Sequence, residues 1–305
     1  GAYCRYCFRK RLFMDDNDEV TNDVSEGLRY IADHPEVTNV LLTGGDPLLM
    51  STRRLTEIFD ELRQIEHVKI IRIGSKMPAF DPWRVTRDPE LQAAFRKYST
   101  AQQRIYLMAH FDHPRELTKE AIDGIDVCLN NGVICVNQCP LIRGVNDDPY
   151  VLAKLYSTLS YIGCPPYYLF QGRPTAGNEP YEVPIVEGWH IFQRTLRQGS
   201  GLARRARFCM SHETGKIEIQ DEGSQIVSLL VDAKSGEKVL DYCAGGGGKS
   251  LAMAADMENQ GQVFGFDIDK RRLSPLYQRA QRAGASVIEV REPPSESLKD
   301  LVGKM

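Results

Sequence analysis

Apolar residues never run on for the roughly 20 positions that a membrane-spanning helix requires, so no spanning helix is expected. Charge of neither sign dominates. With 38 basic and 41 acidic side chains the formal net charge is −3, which leaves no general electrostatic footprint for nucleic acid; an RNA-binding role has to rest on a local feature. No secretory signal is visible, and the opening residues suggest that a preceding segment is missing. Internal repeats and low-complexity tracts are lacking too. Among eight cysteines only one pair is spaced C-x-x-C, whereas a structural zinc site wants two such pairs. A thioredoxin-like setting for that pair is absent, and a disulfide scaffold does not suit a chain of this length without a signal. What remains is a cytoplasmic globular protein whose cysteines are free for metal ligation or burial.

What is present is first a periodicity. Strand-like apolar runs occur at 39–43, 68–73, 104–110, 133–138, 167–170 and 207–210. Helix-like segments lie at 22–33, 52–64, 89–97, 118–130, 149–162 and 186–198. Strict alternation of this kind predicts an α/β fold with a parallel sheet under helices, either a barrel or an open doubly wound sheet. Both place active-site residues just beyond the carboxyl ends of strands. Thr43-Gly44-Gly45-Asp46-Pro47, Gly74-Ser75, His110 and Gln138 each end such a run. Near Gln220 a fresh strand–glycine loop–helix–strand–acid pattern begins, which predicts a domain boundary close to residue 219.

Cys4-Arg5-Tyr6-Cys7 opens the chain. Alone, the pair admits zinc, thiol redox, an iron–sulfur site or chance. Its surroundings narrow the choice. Cys4-Arg5-Tyr6-Cys7-Phe8-Arg9-Lys10-Arg11 and Thr43-Gly44-Gly45-Asp46-Pro47 are followed by Ile71-Arg72-Ile73-Gly74-Ser75, His110-Phe111-Asp112-His113-Pro114 and Asn137-Gln138. Leu141-Ile142-Arg143-Gly144-Val145-Asn146-Asp147, Pro166-Tyr167-Tyr168-Leu169-Phe170-Gln171 and Gly215-Lys216-Ile217 complete the series. In this order they resemble the radical S-adenosylmethionine superfamily and, more narrowly, the lysine 2,3-aminomutase family.

The resemblance covers about 1–219 and implies a partial (βα)6 TIM-like barrel that binds a [4Fe–4S] cluster and S-adenosylmethionine. The family pattern is C-x-x-x-C-x-x-C, so Cys4 and Cys7 are expected as metal ligands, with a first cysteine expected one residue before Gly1 and a first strand ahead of it. Three thiolates leave one iron of a cubane open to the amino and carboxylate groups of the cofactor's methionine. Gly44 and Gly45 would admit the cofactor to the backbone, beside Asp46 and Pro47. Asp46 would orient the cofactor's amino group; the ordinary reading is a turn aspartate before proline. Ser75, His110 and Gln138 are carried over as cofactor or substrate contacts, against a buried structural role. The implied chemistry is reductive cleavage of S-adenosylmethionine to a 5′-deoxyadenosyl radical, with electrons from a donor such as flavodoxin or ferredoxin.

Lys216 stands where the family's lysine forms a Schiff base with pyridoxal 5′-phosphate; a solvated turn lysine is the alternative. Arg9 matches the arginine that holds the carboxylate of a small-molecule amino-acid substrate. Lysine-specific members carry aspartates for the distal amine. One such place holds Arg173 here and the other falls near Cys209, so an acidic or otherwise anionic amino acid is expected rather than lysine. Cys128, Cys135, Cys139 and Cys164 read as buried small hydrophobes.

Farther on, Asp241-Tyr242-Cys243-Ala244-Gly245-Gly246-Gly247-Gly248-Lys249 fails the Walker spacing because Cys243 occupies the place of its first glycine. An acid after the next strand, Asp267, suits a nucleoside cofactor whose ribose it would bind. With Gln220-Asp221-Glu222-Gly223-Ser224-Gln225 and Asp267-Ile268-Asp269, the segment resembles the ribosomal RNA cytosine-5 methyltransferase family over about 218–305. Residues 220–305 are expected to form the N-terminal part of a Rossmann-like methyltransferase domain. Binding of S-adenosylmethionine is expected through Asp241, Cys243, Ala244, Gly245, Gly246, Gly247, Gly248, Lys249 and Asp267. RNA is a partner for this unit alone, and methyl transfer is not expected, because the segment stops before the family's catalytic cysteine motifs. Gly245 and Gly246 depart from the usual Cys-Ala-Ala-Pro-Gly-Gly-Lys loop.

Overall fold

In the computed structural model, residues 4–7, 24–172, 175, 177–212, 215–218 and 222–303 are described. The chain divides into two compact units, Gly1–Ile219 and Gln220–Met305.

The first unit is built on seven strands: β1 (Asn39–Leu42), β2 (Ile70–Ser75), β3 (Arg104–Ala109), β4 (Ile134–Pro140), β5 (Pro166–Phe170), β6 (Arg207–His212) and β7 (Gly215–Glu218). They lie in chain order. β1 to β6 are parallel and form a curled half-barrel, while β7 returns antiparallel to β6. Parallel neighbours demand long crossovers, and helices Thr52–Gln64, Pro89–Tyr98, Lys119–Asn130, Pro149–Tyr161 and Ile185–Gln198 supply them. Their starts are written locally. Ser51 accepts from Arg54 N, Asp88 from Leu91 N ahead of Pro89, and Thr118 from Ala121 N. Leu55, Ile58, Phe59 and Leu62 recur at helical spacing and are all buried.

Along β2 the burial alternates, with Ile71 and Ile73 packed in the helix-covered core and Ile70 and Arg72 on the opposite face. Cys128, Cys135, Cys139 and Cys164 belong to the same core. No described helix is long and apolar enough to cross a membrane.

Two features depart from the sequence expectation. Gly215–Glu218 is a strand, which the apolar runs do not include, because the chain reverses after His212 and pairs Ser211 with Lys216 and Met210 with Ile217. Short helices at Met77–Phe80 and Trp83–Thr86 follow β2, started by Pro78 and Pro82 where periodicity over four residues gives no signal. The first helix is Ser25–Asp33 with Val24 as its N-cap, positions 22 and 23 lying outside the described residues.

In the second unit three parallel strands, β8 (Lys238–Asp241), β9 (Gln262–Phe266) and β10 (Ile288–Arg291), are ordered β10-β9-β8. Helices Glu222–Val231, Gly248–Asp256 and Lys270–Ala283 accompany them. Two small clusters make its core, one around Met253, Met257 and Val263, the other around Ala244, Leu273 and Leu276.

Candidate functional site

Cys4 and Cys7 form one tight turn, with Cys7 N donating to Cys4 O at 3.0 Å. Both thiols are free and half-buried. Burial pushes the Cys4 thiol up; the Lys76 cation pulls the other way, and Asp112 adds to the rise. Two free thiols in one turn match the donor chemistry of an iron–sulfur site, which takes thiolate sulfur. Among the described residues no three cysteine, histidine or carboxylate side chains converge as a metal site.

Tyr6, between the two cysteines, donates its hydroxyl to Asp112 Oδ2. Its carbonyl accepts from Asn178 Nδ2 at 3.1 Å, and its ring meets that of Tyr181 edge-on. The turn is thereby tied to the segment following β3. There Lys76, directly after β2, donates from Nζ to Asp112 Oδ2 (2.7 Å), Glu116 Oε1 (2.9 Å) and His110 O (3.2 Å). The Lys76 and Asp112 side chains are only 7% and 2% exposed. Burial alone would depress the Lys76 ammonium, but the Asp112 and Glu116 carboxylates outweigh it and hold the group above the ordinary lysine range. Burial and the negative charge of Asp112 together raise the Tyr6 phenol. Asp112 Oδ1 is buried without a hydrogen-bond partner among the described residues. None of Tyr6, Lys76, Asp112 or Glu116 stood out as a site residue in the sequence. The available signal was position, since Lys76 and Asp112 both lie just past strand ends.

Asp46 leads out of β1. Its Oδ1 accepts from Leu48 N (3.0 Å) and Ser75 Oγ (2.7 Å), and its Oδ2 from Lys76 N (2.7 Å). Ser75 Oγ in turn accepts from Met77 N at 3.0 Å. These two residues therefore staple the end of β1 to the end of β2. Gly44 sits at φ +135°, a backbone conformation that only glycine adopts readily. A Cβ on Gly45 would meet nothing within 4 Å, so open space rather than crowding surrounds that position. Pro47 begins a short 3-10 turn.

Past β3, His110 N donates to Ser75 O at 3.0 Å, and the His110 ring lies 2.8 Å from Gln138, Nε2 to Nε2. The amide nitrogen donates, so the imidazole accepts at Nε2. Gln138, Tyr168 and Arg207 occupy one level of β4, β5 and β6. Arg207 stacks over the rings of Tyr167 and Tyr168 and donates to Tyr168 Oη at 2.8 Å. The sequence therefore located a group that the fold brings together: the cysteine turn and the ends of β1 to β4. Lys216 stands on β7, paired with Ser211 of β6, where only the backbone is described. Arg9 and Arg173 lie outside the described residues. Cys209, where lysine-specific relatives are expected to carry an acid, is wholly buried on β6.

In the second unit Asp241 ends β8 and accepts from Ser250 Oγ at 2.8 Å. Asp267, just past β9, is 2% exposed and accepts from Gly245 N (3.1 Å) and Asp269 N (3.1 Å), with Arg272 at 3.5 Å. Lys249 Nζ donates back to Cys243 O, and Arg279 donates to Gly246 O at 2.8 Å. Cys243 is exposed, Ala244 is buried, and Gly248 opens the following helix. Gly247 has φ +81°, and a Cβ there would come within 2.1 Å of Leu276 Cδ1. The loop residues singled out from sequence are thus together, with Asp267 closing on the loop's own backbone.

Residues 2–155 match the family model described as the radical SAM superfamily, and residues 228–304 match that described as 16S rRNA methyltransferase RsmB/F. A protein of Aquifex aeolicus strain VF5 named "Putative L-lysine 2,3-aminomutase" is 55% identical over 220 residues, covering 72% of this chain and 59% of that protein. The L-lysine 2,3-aminomutase of Fusobacterium nucleatum is 39% identical over 204 residues, 67% of this chain and 47% of the relative. The glutamate 2,3-aminomutase of Clostridioides difficile strain 630 is 32% identical over 204 residues, 67% of this chain and 47% of the relative. The chain thus spans about half the length of the curated relatives it matches.

Proposed function

Because this chain belongs to the radical SAM superfamily, we propose that residues 1–219 are the aminomutase-type part of a radical enzyme, an isomerase that moves an amino group between carbons 2 and 3 of an amino acid other than lysine. The observation that carries the reading is the Cys4–Cys7 turn tied to the carboxyl end of β3, in a parallel half-barrel whose β1 and β2 ends meet through Asp46. Cys4 and Cys7 would hold a [4Fe–4S] cluster through thiolate sulfur. A cluster held there with S-adenosylmethionine would supply one-electron reduction, the chemistry that yields a hydrogen-abstracting carbon radical.

The chain's own part is binding and orientation. Asp46 and Ser75 fix the Gly44–Gly45 backbone where a cofactor can approach it. His110 and Gln138 present an ordered pair of polar edges beyond β3 and β4. Arg9 would hold the substrate carboxylate, and Lys216 would hold pyridoxal 5′-phosphate. Against lysine as substrate stand Arg173 and the buried Cys209, neither of them a carboxylate, at the two places where an acid would pair with a distal amine. The named relatives act on both lysine and glutamate, so an acidic amino acid is within the family's reach.

Anaerobic reconstitution of the full-length protein with iron and sulfide, followed by reduction with S-adenosylmethionine present, tests the reading. The expected results are cluster absorbance, 5′-deoxyadenosine, and a 3-amino acid from glutamate in preference to lysine, read by NMR. A reconstituted protein that turns over lysine faster than glutamate overturns the substrate assignment, and one that takes up no iron overturns the whole.

For residues 220–305 we propose the N-terminal part of a Rossmann-like methyltransferase domain that binds S-adenosylmethionine, favoured by the match over 228–304. Asp267→Ala should weaken that binding in equilibrium dialysis at least tenfold; unchanged binding would remove the assignment.

A further inference from the structure

Tyr6 is one of the two residues between the cysteines; its hydroxyl lies within hydrogen-bonding reach of the Cys4 thiol, and its other described contacts lead away from the turn. Its hydroxyl and Lys76 Nζ converge on one oxygen, Asp112 Oδ2. Glu116 completes the set by taking Lys76 on Oε1 and Asp112 N, at 2.6 Å, on Oε2. The segment carrying Asp112 is itself fixed, because Asn137 on β4 accepts from Phe111 N (2.8 Å) and donates to Phe111 O (3.1 Å). A buried carboxylate clamped by an ammonium is a poor hinge and a good anchor, since moving either charge strands the other.

We infer that Lys76, Asp112 and Glu116 are positioning residues whose shared anchor, reached through the Tyr6 hydroxyl, sets the orientation of the Cys4 and Cys7 thiols. The inference rests on the reading of that turn as the cluster site, yet its geometry belongs to the protein alone. Outer partners of a metal ligand commonly carry ten- to a hundredfold in metal affinity. Here Lys76, Asp112 and Glu116 reach the turn through Tyr6, whose hydroxyl also meets the Cys4 thiol.

Tyr6→Phe removes the hydroxyl and keeps the ring. Tyr98→Phe is the matched control, because Tyr98 Oη donates to Asp60 Oδ1 at 2.5 Å in an equivalent tyrosine–aspartate bond that has no part in the turn. Two readouts separate the claims. In the metal-free, reduced protein, alkylation of Cys4 and Cys7 by iodoacetamide, followed by mass spectrometry, should change roughly tenfold in Tyr6→Phe, with the melting temperature within a few degrees of the parent. In the reconstituted protein, iron release to a chelator should be at least tenfold faster. Asp112→Asn, which keeps the shape but not the charge, should show both effects, and Tyr98→Phe neither. Equal alkylation and equal iron release in Tyr6→Phe and parent overturn the inference. Absence of iron from the parent, with alkylation still altered in Tyr6→Phe, overturns the cluster reading while leaving the anchor standing.

Discussion

In residues 1–219 the candidate groups come from the ends of separate strands. Asp46, Ser75, Lys76, Asp112 and Gln138 meet only after four strands are in register. In residues 220–305 they come from one strand–loop–helix–strand unit, with Asp241, Gly245, Ser250 and Asp267 all within 27 positions. The first arrangement makes the site hostage to buried charge, the second to backbone shape. Lys76 and Asp112 have no water to fall back on, whereas the glycine loop has no room, with Leu276 pressed against Gly247 and Gly265.

That contrast can be broken by single substitutions. Lys76→Met leaves Asp112 and Glu116 without their cation, and we expect a loss of about 3–5 kcal/mol in the urea unfolding of the first unit. Both tryptophans, Trp83 and Trp189, lie in that unit, so their fluorescence follows it alone. Lys76→Arg should recover most of the loss.

Gly247→Ala combines a positive φ with a clash, and should destabilise the second unit by about 2–4 kcal/mol. Loss of amide exchange protection in β8 and β9, at an unchanged tryptophan transition, is the expected signature. A tryptophan transition that moved in parallel would erase the distinction between the units.

Asp46→Ala strips the acceptor from Leu48 N, Lys76 N and Ser75 Oγ, at a cost of about 2 kcal/mol in the same fluorescence assay. The smallest effect belongs to a carboxylate outside the site. Burial pushes the Asp88 carboxyl up, but the Thr52 hydroxyl, Leu91 N and the Arg84 guanidinium outweigh it and hold the group below the usual range. A depressed folded value contributes stability above the unfolded value of about 3.9, and that contribution disappears as pH falls through the folded value. Asp88→Asn should therefore flatten the acid limb of the stability–pH curve by lowering its plateau: the loss is present near neutrality and disappears as pH falls below the folded value.

Helices such as Thr52–Gln64 were legible because cap, apolar spacing and length agree within one segment, and the six parallel strands because each is a short apolar run closed by turn residues. β7 was not, since Gly215-Lys216-Ile217-Glu218 acquires its partner only when the chain doubles back on β6. The candidate site divides in the same way. Gly44, Asp46, Ser75, His110 and Gln138 could be found at strand ends, one by one. The bond from Tyr6 to Asp112 spans 106 positions, and nothing in Gly74-Ser75-Lys76-Met77 marks that lysine as buried. Asp267 follows β9 as the strand–acid pattern has it, but its closing on Gly245 depends on the path of a loop that composition does not reveal.

From β2 to β6, each parallel strand of the first unit pairs with the strand synthesised just before it. Such a sheet can be laid down vectorially as the chain leaves the ribosome, each new strand finding its docking edge already assembled and never awaiting a distant partner. Circular permutation that opens the chain between β3 and β4 would force β4 to wait for β3 at the far end of synthesis, converting an additive assembly into one that must close a long loop first.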